Sequence, residues 1–395
     1  MSPHAQSHPV TLQAIHSSLE LRHSLFPVTS QSIFLAHAGV APLCAPAADA
    51  MIQHIHSAIL SEQESLHFHH TLHSLRQSIA TLIQAQPHEI SLLGPTSLGL
   101  NLVALGINWH PHDEIIYYPH DYPANVYPWI HLTRLGVRPV ALRPQHLGQI
   151  TPELVFEAIT PRTRLVALAS CHYLTGYRLD YRTIGAALKK QGILFCLDGI
   201  QSLGATPIES AYADFIAADS HKWLLGPLSA GFLYVNKSAA PHCTPALLGS
   251  WNVHSPQFIA QSQIQFENGG RRYEPGTLNL CGSIGMAAAT NLLLSIGIPL
   301  IHRHIHTLLE PLAHTLHHHG WHVPWLQFPP HAQATILTIH HPQKQLSKIY
   351  NQLRQQKIYL SLRHYPDGTP ALRISPHLYN THSEIDALLQ ILLKT

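Results

Sequence analysis

Between residues 114 and 235, short β-rich runs alternate with helical patterns, and this alternation leaves few folds open. The runs are Glu114–Tyr118, Pro139–Leu142, Leu165–Ala169, Ile193–Leu197, Asp214–Ala217 and Gly231–Val235. Helix-like segments at Tyr122–Leu135, Pro152–Ile159 and Tyr181–Gln191 lie among them. Strands alternating with helices predict an α/β fold with a mostly parallel sheet covered on both faces. Upstream, Leu66, Leu72, Leu75, Ile79, Leu82 and Ile83 keep helical spacing through Gln63–Gln86. Beyond residue 290 the rhythm changes. Helical patterns at Leu300–His318, Pro342–Gln356 and Ser383–Leu393 surround strand candidates at Ala334–Ile339, Tyr359–Leu362 and Leu372–Ser375. The division expected is a large domain over 46–295 and a smaller α+β domain over 296–395, which the segment 1–45 joins.

Composition narrows the function. Only 11% of the 395 residues are charged, with a net charge of +2, 35 histidines and eight lysines. A disordered, self-repelling chain is excluded, and scattered arginines without a basic face argue against nucleic acid. Five widely spaced cysteines without a CxxC pair predict neither a disulfide framework nor a zinc ribbon, and the four in apolar or small-residue runs are expected to be buried thiols. The N-terminal residues lack a basic start followed by an apolar run, so a cytoplasmic protein is expected. Gly282–Ile301 carries no charge over 20 residues, but polar residues and Pro299 interrupt it. It is expected to be a buried helix, not a membrane span. Of the histidine clusters, His67–His70 and His317–His319 are expected on solvated helix faces. His302 and His306, four apart, are the best-spaced pair, without a carboxylate partner that would suggest a metal.

Parallel α/β sheets bind ligands beyond the carboxyl ends of their strands. Those ends bring His120, Asp121 and Tyr122; Ser170, Cys171 and His172; Asp198 and Gln201; and Asp219, Ser220, His221 and Lys222. Upstream, Gly94-Pro95-Thr96-Ser97 opens an apolar helix, a setting for a phosphate. A phosphate cradle, a strand-end acid and a scarce lysine suit pyridoxal phosphate, which needs a lysine amine and a carboxylate for its ring nitrogen. No Gly-Lys-Ser/Thr follows Gly94 and no GxGxxG follows a strand, so nucleotide readings are weak.

The stretch Asp219-Ser220-His221-Lys222-Trp223-Leu224-Leu225-Gly226-Pro227, closing on Gly231–Val235, resembles the lysine motif of class V aminotransferases. These are fold-type I pyridoxal-phosphate enzymes that include cysteine desulfurases, isopenicillin N epimerases and kynureninases. Further matches follow in order: Ala38–Pro42, Gly94–Ser97 with Asn101, Asp121–Asn125, Tyr173–Gly176, Asp198–Gly204, Arg272–Thr277 and Arg373–His377 with Tyr379–Thr381. The resemblance implies pyridoxal 5'-phosphate as cofactor, an amino acid as substrate and a homodimer with shared active sites.

It also implies roles. Lys222 would hold the cofactor as a Schiff base and then take the Cα proton, and Asp198 would pair with the ring nitrogen. Gln201 would bond the ring oxygen, while Tyr122, with His120 as its rival, would stack on the ring. Thr96, Ser97 and His221 would hold the phosphate. The family often has a serine three residues before the lysine. Here Asp219 takes that place, and it is expected to turn away and leave Ser220 as the ligand. Thr277 would reach the partner's phosphate, and Arg373 would grip the substrate carboxylate; Arg271 and Arg272 are weaker candidates. Roles for Ser170 and His172 stay open. Cysteine desulfurases carry a loop cysteine that the stretch 361–370 lacks, so a persulfide-forming reaction is disfavoured. An epimerase-like or transaminase outcome is expected, with a C–S lyase or desulfurase-like reaction without a loop cysteine as the alternative. A non-catalytic cofactor-binding scaffold is the contrasting class.

Overall fold

The computed structural model describes residues 10–63 and 68–394, so Leu66 and His67 lie outside it. Its strands in chain order are β1 (Ile33–Phe34), β2 (Ile90–Leu93), β3 (Glu114–Tyr117), β4 (Arg138–Ala141), β5 (Thr163–Ala169) and β6 (Leu194–Asp198). They continue with β7 (Phe215–Asp219), β8 (Gly231–Val235), β9 (Leu337–Ile339), β10 (Ile358–Tyr359), β11 (Ser361–His364) and β12 (Pro370–Ile374). Seven of them form the central sheet in the order β2-β8-β7-β6-β5-β3-β4. Only β8 runs against the others, pairing antiparallel with both β7 and β2. A parallel return needs a crossover of roughly a dozen or more residues, usually helical. The chain from Asp219 to Gly231 holds only tight turns, so it comes back antiparallel.

Alternation along the strands feeds two cores. Ile116, Val166, Leu168, Phe195, Leu197 and Ile216 belong to one apolar cluster, whereas Ile115, Leu165, Ala167, Leu194, Phe215 and Ala217 belong to the other. Both faces of the sheet are therefore covered, which drives its folding by burial on either side. The helix Thr96–Gly106 lies on one face, and Gly99 lets it approach closely, since a Cβ there would sit 3.0 Å from that of Ala217. A second sheet, β11-β12-β9, forms from the last sixty residues. β1 pairs in parallel with β10, and Ala36 bridges to Ser375, so the N-terminal segment is stitched to the C-terminal one.

Three expectations change in detail. Tyr122–Leu135 is not one helix: it holds a short α-helix, Tyr127–His131, between 3-10 turns at Pro123–Asn125 and Leu132–Leu135. Pro123 and Pro128 lack the amide that a continuous helix needs. The expected strand Tyr359–Leu362 is divided between β10 and β11, which join different sheets. The uncharged stretch 282–301 spans two helices, Leu280–Ile296 and Ile298–His318, bent by 76° at Gly297, whose φ is +95°. Among the described residues, no single helix is long and apolar enough to cross a membrane.

Candidate active site

A cavity of about 550 Å³ opens at the carboxyl ends of the parallel strands. Its walls include Thr96, Ser97, Tyr122, Asp198, Gln201, His221, Lys222 and Arg373, so residues drawn from across the chain converge.

Asp198 ends β6 and is 4% exposed; Oδ1 accepts a hydrogen bond from Ile200 N at 3.0 Å. Burial pushes its pKa up to about 6, against the stabilising Ile200 amide and Lys222. Lys222, 8% exposed, has its Nζ 5.4 Å from the centre of the Tyr122 ring. Burial lowers its pKa to about 8; Arg373 and Arg363 act in the same direction, and Asp198 and Asp219 oppose it. The amine thus becomes neutral, and nucleophilic, close to physiological pH. Capture of pyridoxal, which lacks the phosphate, by the cofactor-free protein should accelerate about tenfold per pH unit up to pH 8 and then level off. Stopped-flow absorbance across pH 6–10 measures this; a plateau appearing only near pH 10 would contradict it.

Gln201 donates from Nε2 to Ala38 O at 3.1 Å and accepts from Trp223 Nε1 at 3.1 Å. One amide hydrogen remains for a ligand. Tyr122 is on the cavity wall, whereas His120 is exposed and edge-on to Tyr118 outside it. Arg373, 1% exposed, donates from Nη1 to Tyr173 O at 2.6 Å, and its Nε has no partner. Burial and neighbouring Arg363 lower its pKa to about 9, which leaves it a cation at neutral pH.

The expectation for Asp219 and Ser220 is reversed. Asp219 faces the cavity, while Ser220 Oγ donates to Pro227 O at 2.7 Å and is fully buried in the 220–227 turn. Neighbouring strand-end residues point to opposite sides, and the turn claims Ser220. The Ser220 hydroxyl is therefore turned away from this cavity. Thr277 and Arg271 are exposed and Arg272 is half-buried, and none of the three lines the cavity. Asn101 turns back to Ser97 O. Ser170 bonds Ser202, and His172 bonds Thr175 and the His120 carbonyl, so both serve the scaffold. Arg363 and His364 line the cavity without having been singled out. Their signal was present: Arg363 lies in the stretch read only for a missing cysteine, on the strand paired with the one bearing Arg373.

The residues present fit pyridoxal phosphate. Thr96 Oγ1 is buried without a hydrogen-bond partner at the head of an 11-residue helix, where unpaired amides favour an anion. Asp198 supplies the buried carboxylate and Lys222 the amine. The His302 and His306 rings lie 4.5 Å apart, tilted by 58°, and no group of three metal-ligating side chains converges among the described residues.

Fold and site together define a fold-type I pyridoxal-phosphate enzyme. The model of the aminotransferase class-V family matches residues 33–388, and the chain belongs to that family. A probable cysteine desulfurase of Methanothermobacter thermautotrophicus is 29% identical over 247 residues, covering 62% of this chain and 61% of that protein. Among solved structures, the cysteine desulfurase of Thermococcus onnurineus superposes with a TM-score of 0.85 at 23% identity, covering 94% of this chain and 96% of that one. The cystine C-S lyase C-DES, solved with its product cysteine persulfide, gives 0.83 at 22%, covering 93% and 98%. At these identities the two structures establish the shared fold.

Proposed function

We propose that the enzyme cleaves the C–S bond of cysteine or cystine and releases the sulfur to a small molecule instead of to a thiol of its own. The observation that carries this reading is the placement of the five cysteines. Cys44, Cys171, Cys196 and Cys243 are buried, Cys281 is half-buried on a helix, and none lines the cavity. Burial pushes the Cys44 and Cys243 thiols up to about 11 and Cys171 to about 12, away from nucleophilic thiolates. The relatives named above, desulfurases and a C-S lyase, favour sulfur chemistry over the epimerase-like or transaminase outcome.

Bound pyridoxal phosphate supplies an electron sink for the pair left at Cα. Arg373 would hold the substrate carboxylate through its bidentate fork, and Lys222 would take the Cα proton at Nζ. As the Cβ–S bond breaks, its electron pair leaves with sulfur. Asp198 would keep the ring nitrogen protonated, Gln201 would bond the ring oxygen, and Tyr122 would cover the ring. Thr96, Ser97 and His221 would surround the phosphate. The proposal includes a homodimer in which Thr277 reaches the partner's site; exposed Ile52 and Ile55 on the helix Ala45–Ala58, with Ile59 at its C-terminal cap, support a covered face.

Incubation of the holoenzyme with L-cystine or L-cysteine should yield pyruvate, ammonia and persulfide or sulfide. Accumulation of a D-amino acid, or of a keto acid that keeps its sulfur, would overturn this reading in favour of epimerisation or transamination. Arg373→Lys keeps the charge but loses the fork, and should lower kcat/KM by about 10–100-fold, mainly through KM.

A further inference from the structure

The phosphate end of the cavity contains a carboxylate. Asp219 is 3% exposed, and its Oδ1 accepts from Ser220 N at 2.7 Å. Its Oδ2 lies 3.1 Å from His221 Nδ1, without the alignment of a hydrogen bond. Thr96 and Ser97 line the same cavity. Two effects weaken this site for a phosphate dianion. The carboxylate repels it in a partly desolvated setting, and the His221 nitrogen nearest that carboxylate is drawn toward another anion.

We propose that Asp219 makes the phosphate subsite proton-requiring: the cofactor binds with one proton, taken from solvent and shared between phosphate and carboxylate, and is held exchangeably above neutral pH. The inference rests on the cofactor assignment. A phosphate ester loses its second proton near pH 6 in water, so above that pH binding must take up what the free ligand has lost. The charged and titratable groups around Asp219 are His221 and Lys222 on its own loop and Asp198 at the end of the neighbouring strand. Arg363, His364, Arg373, Tyr122 and Tyr173 line the same cavity. The first turn of the Thr96–Gly106 helix and the turn at 227–231 contribute no titratable side chain.

The test is an absorbance titration of the cofactor-stripped full chain with pyridoxal phosphate between pH 6 and 8.5. Wild type is compared with Asp219→Ser and with near-isosteric Asp219→Asn, and pyridoxal serves as the phosphate-free control. Asp219 raises the Lys222 pKa, so the lysine contributes to the ratio of Kd values a part that falls as pH rises. Pyridoxal carries the same part, and the pyridoxal phosphate ratio is divided by the pyridoxal ratio to remove it. The wild-type to Asp219→Ser ratio should exceed one and grow by up to about tenfold per pH unit above pH 6.5, with Asp219→Asn behaving alike. The pyridoxal ratio should not grow with pH, and falls only as far as the Lys222 shift requires. A ratio at or below one, or one independent of pH in both variants, overturns the inference. Failure of every protein, wild type included, to bind pyridoxal phosphate at any pH would overturn the cofactor assignment with it. Thermal melts of the stripped proteins separate misfolding from altered affinity, and Asp219→Asn decides the matter if Asp219→Ser does not fold.

Discussion

Lys222→Ala should lower turnover by at least about a thousandfold and abolish the lysine-linked absorbance band of the holoenzyme. Under the proposed roles two functions are lost at once, the covalent tether for the cofactor and the base for the Cα proton. The protein itself should remain folded. Lys222 is almost fully buried, and among the described residues no carboxylate pairs with it within 4 Å, so its removal orphans no ion-pair partner and relieves the cost of a desolvated ammonium. Steady-state rates, the absorbance spectrum and a thermal melt of the cofactor-free variant check the three parts. Retention of more than a tenth of wild-type turnover would sink the assignment.

Asp198→Asn should cost about a hundredfold or more in turnover, because an amide is a poor partner for a protonated ring nitrogen. Its effect on the cofactor-free protein runs the other way. Burial lifts the Asp198 pKa from 3.8 to about 6, and Asp121, buried beside it and repelled by its charge, rises to about 7. A carboxyl whose pKa is raised on folding contributes stability that is complete below its unfolded pKa and is lost as pH climbs through the folded value. At 1.36 kcal/mol per unit, Asp198 withdraws on the order of 3 kcal/mol between pH 4 and pH 6. Stripped wild type should therefore lose more stability over that interval than stripped Asp198→Asn. Urea unfolding at both pH values measures the difference; parallel losses would count against a strained buried carboxylate waiting for its cationic partner.

Much of the site was legible because the strand-end rule translates sequence into position. Asp198, Lys222 and Tyr122 each follow a readable apolar run, and each lines the cavity. The rest depends on features that a linear reading does not carry. β1 and β2 are runs of two and four residues, too short to show a period, and their place comes from β10 and β8. Asp219 and Ser220 exchange expectations because the turn through Pro227 binds the serine hydroxyl, a contact made only once that turn has closed. Arg363 was passed over because its stretch looked like a loop. Only the ladder with β12 shows that it flanks the cavity beside Arg373. Thr277 lies on the surface of a single chain, and any contribution it makes to an active site belongs to a second one.

The parallel pairing of Ile33 with Ile358, and the bridge from Ala36 to Ser375, also set a schedule for biosynthesis. Residues that leave the ribosome first must wait for nearly the last ones before they find their partners. Arg22 bonds Tyr379 O and Glu384, and His16 bonds Leu378 O, so the opening helices are tethered only when the tail emerges. Closing so long a loop costs entropy before its contacts reward it, which makes it a late step. A nascent chain therefore carries Lys222 and Asp198 well before it carries Arg363 and Arg373. A chain cut short by proteolysis or premature termination would keep Lys222 and Asp198 but lack the arginines of the cavity lining, Arg363 and Arg373.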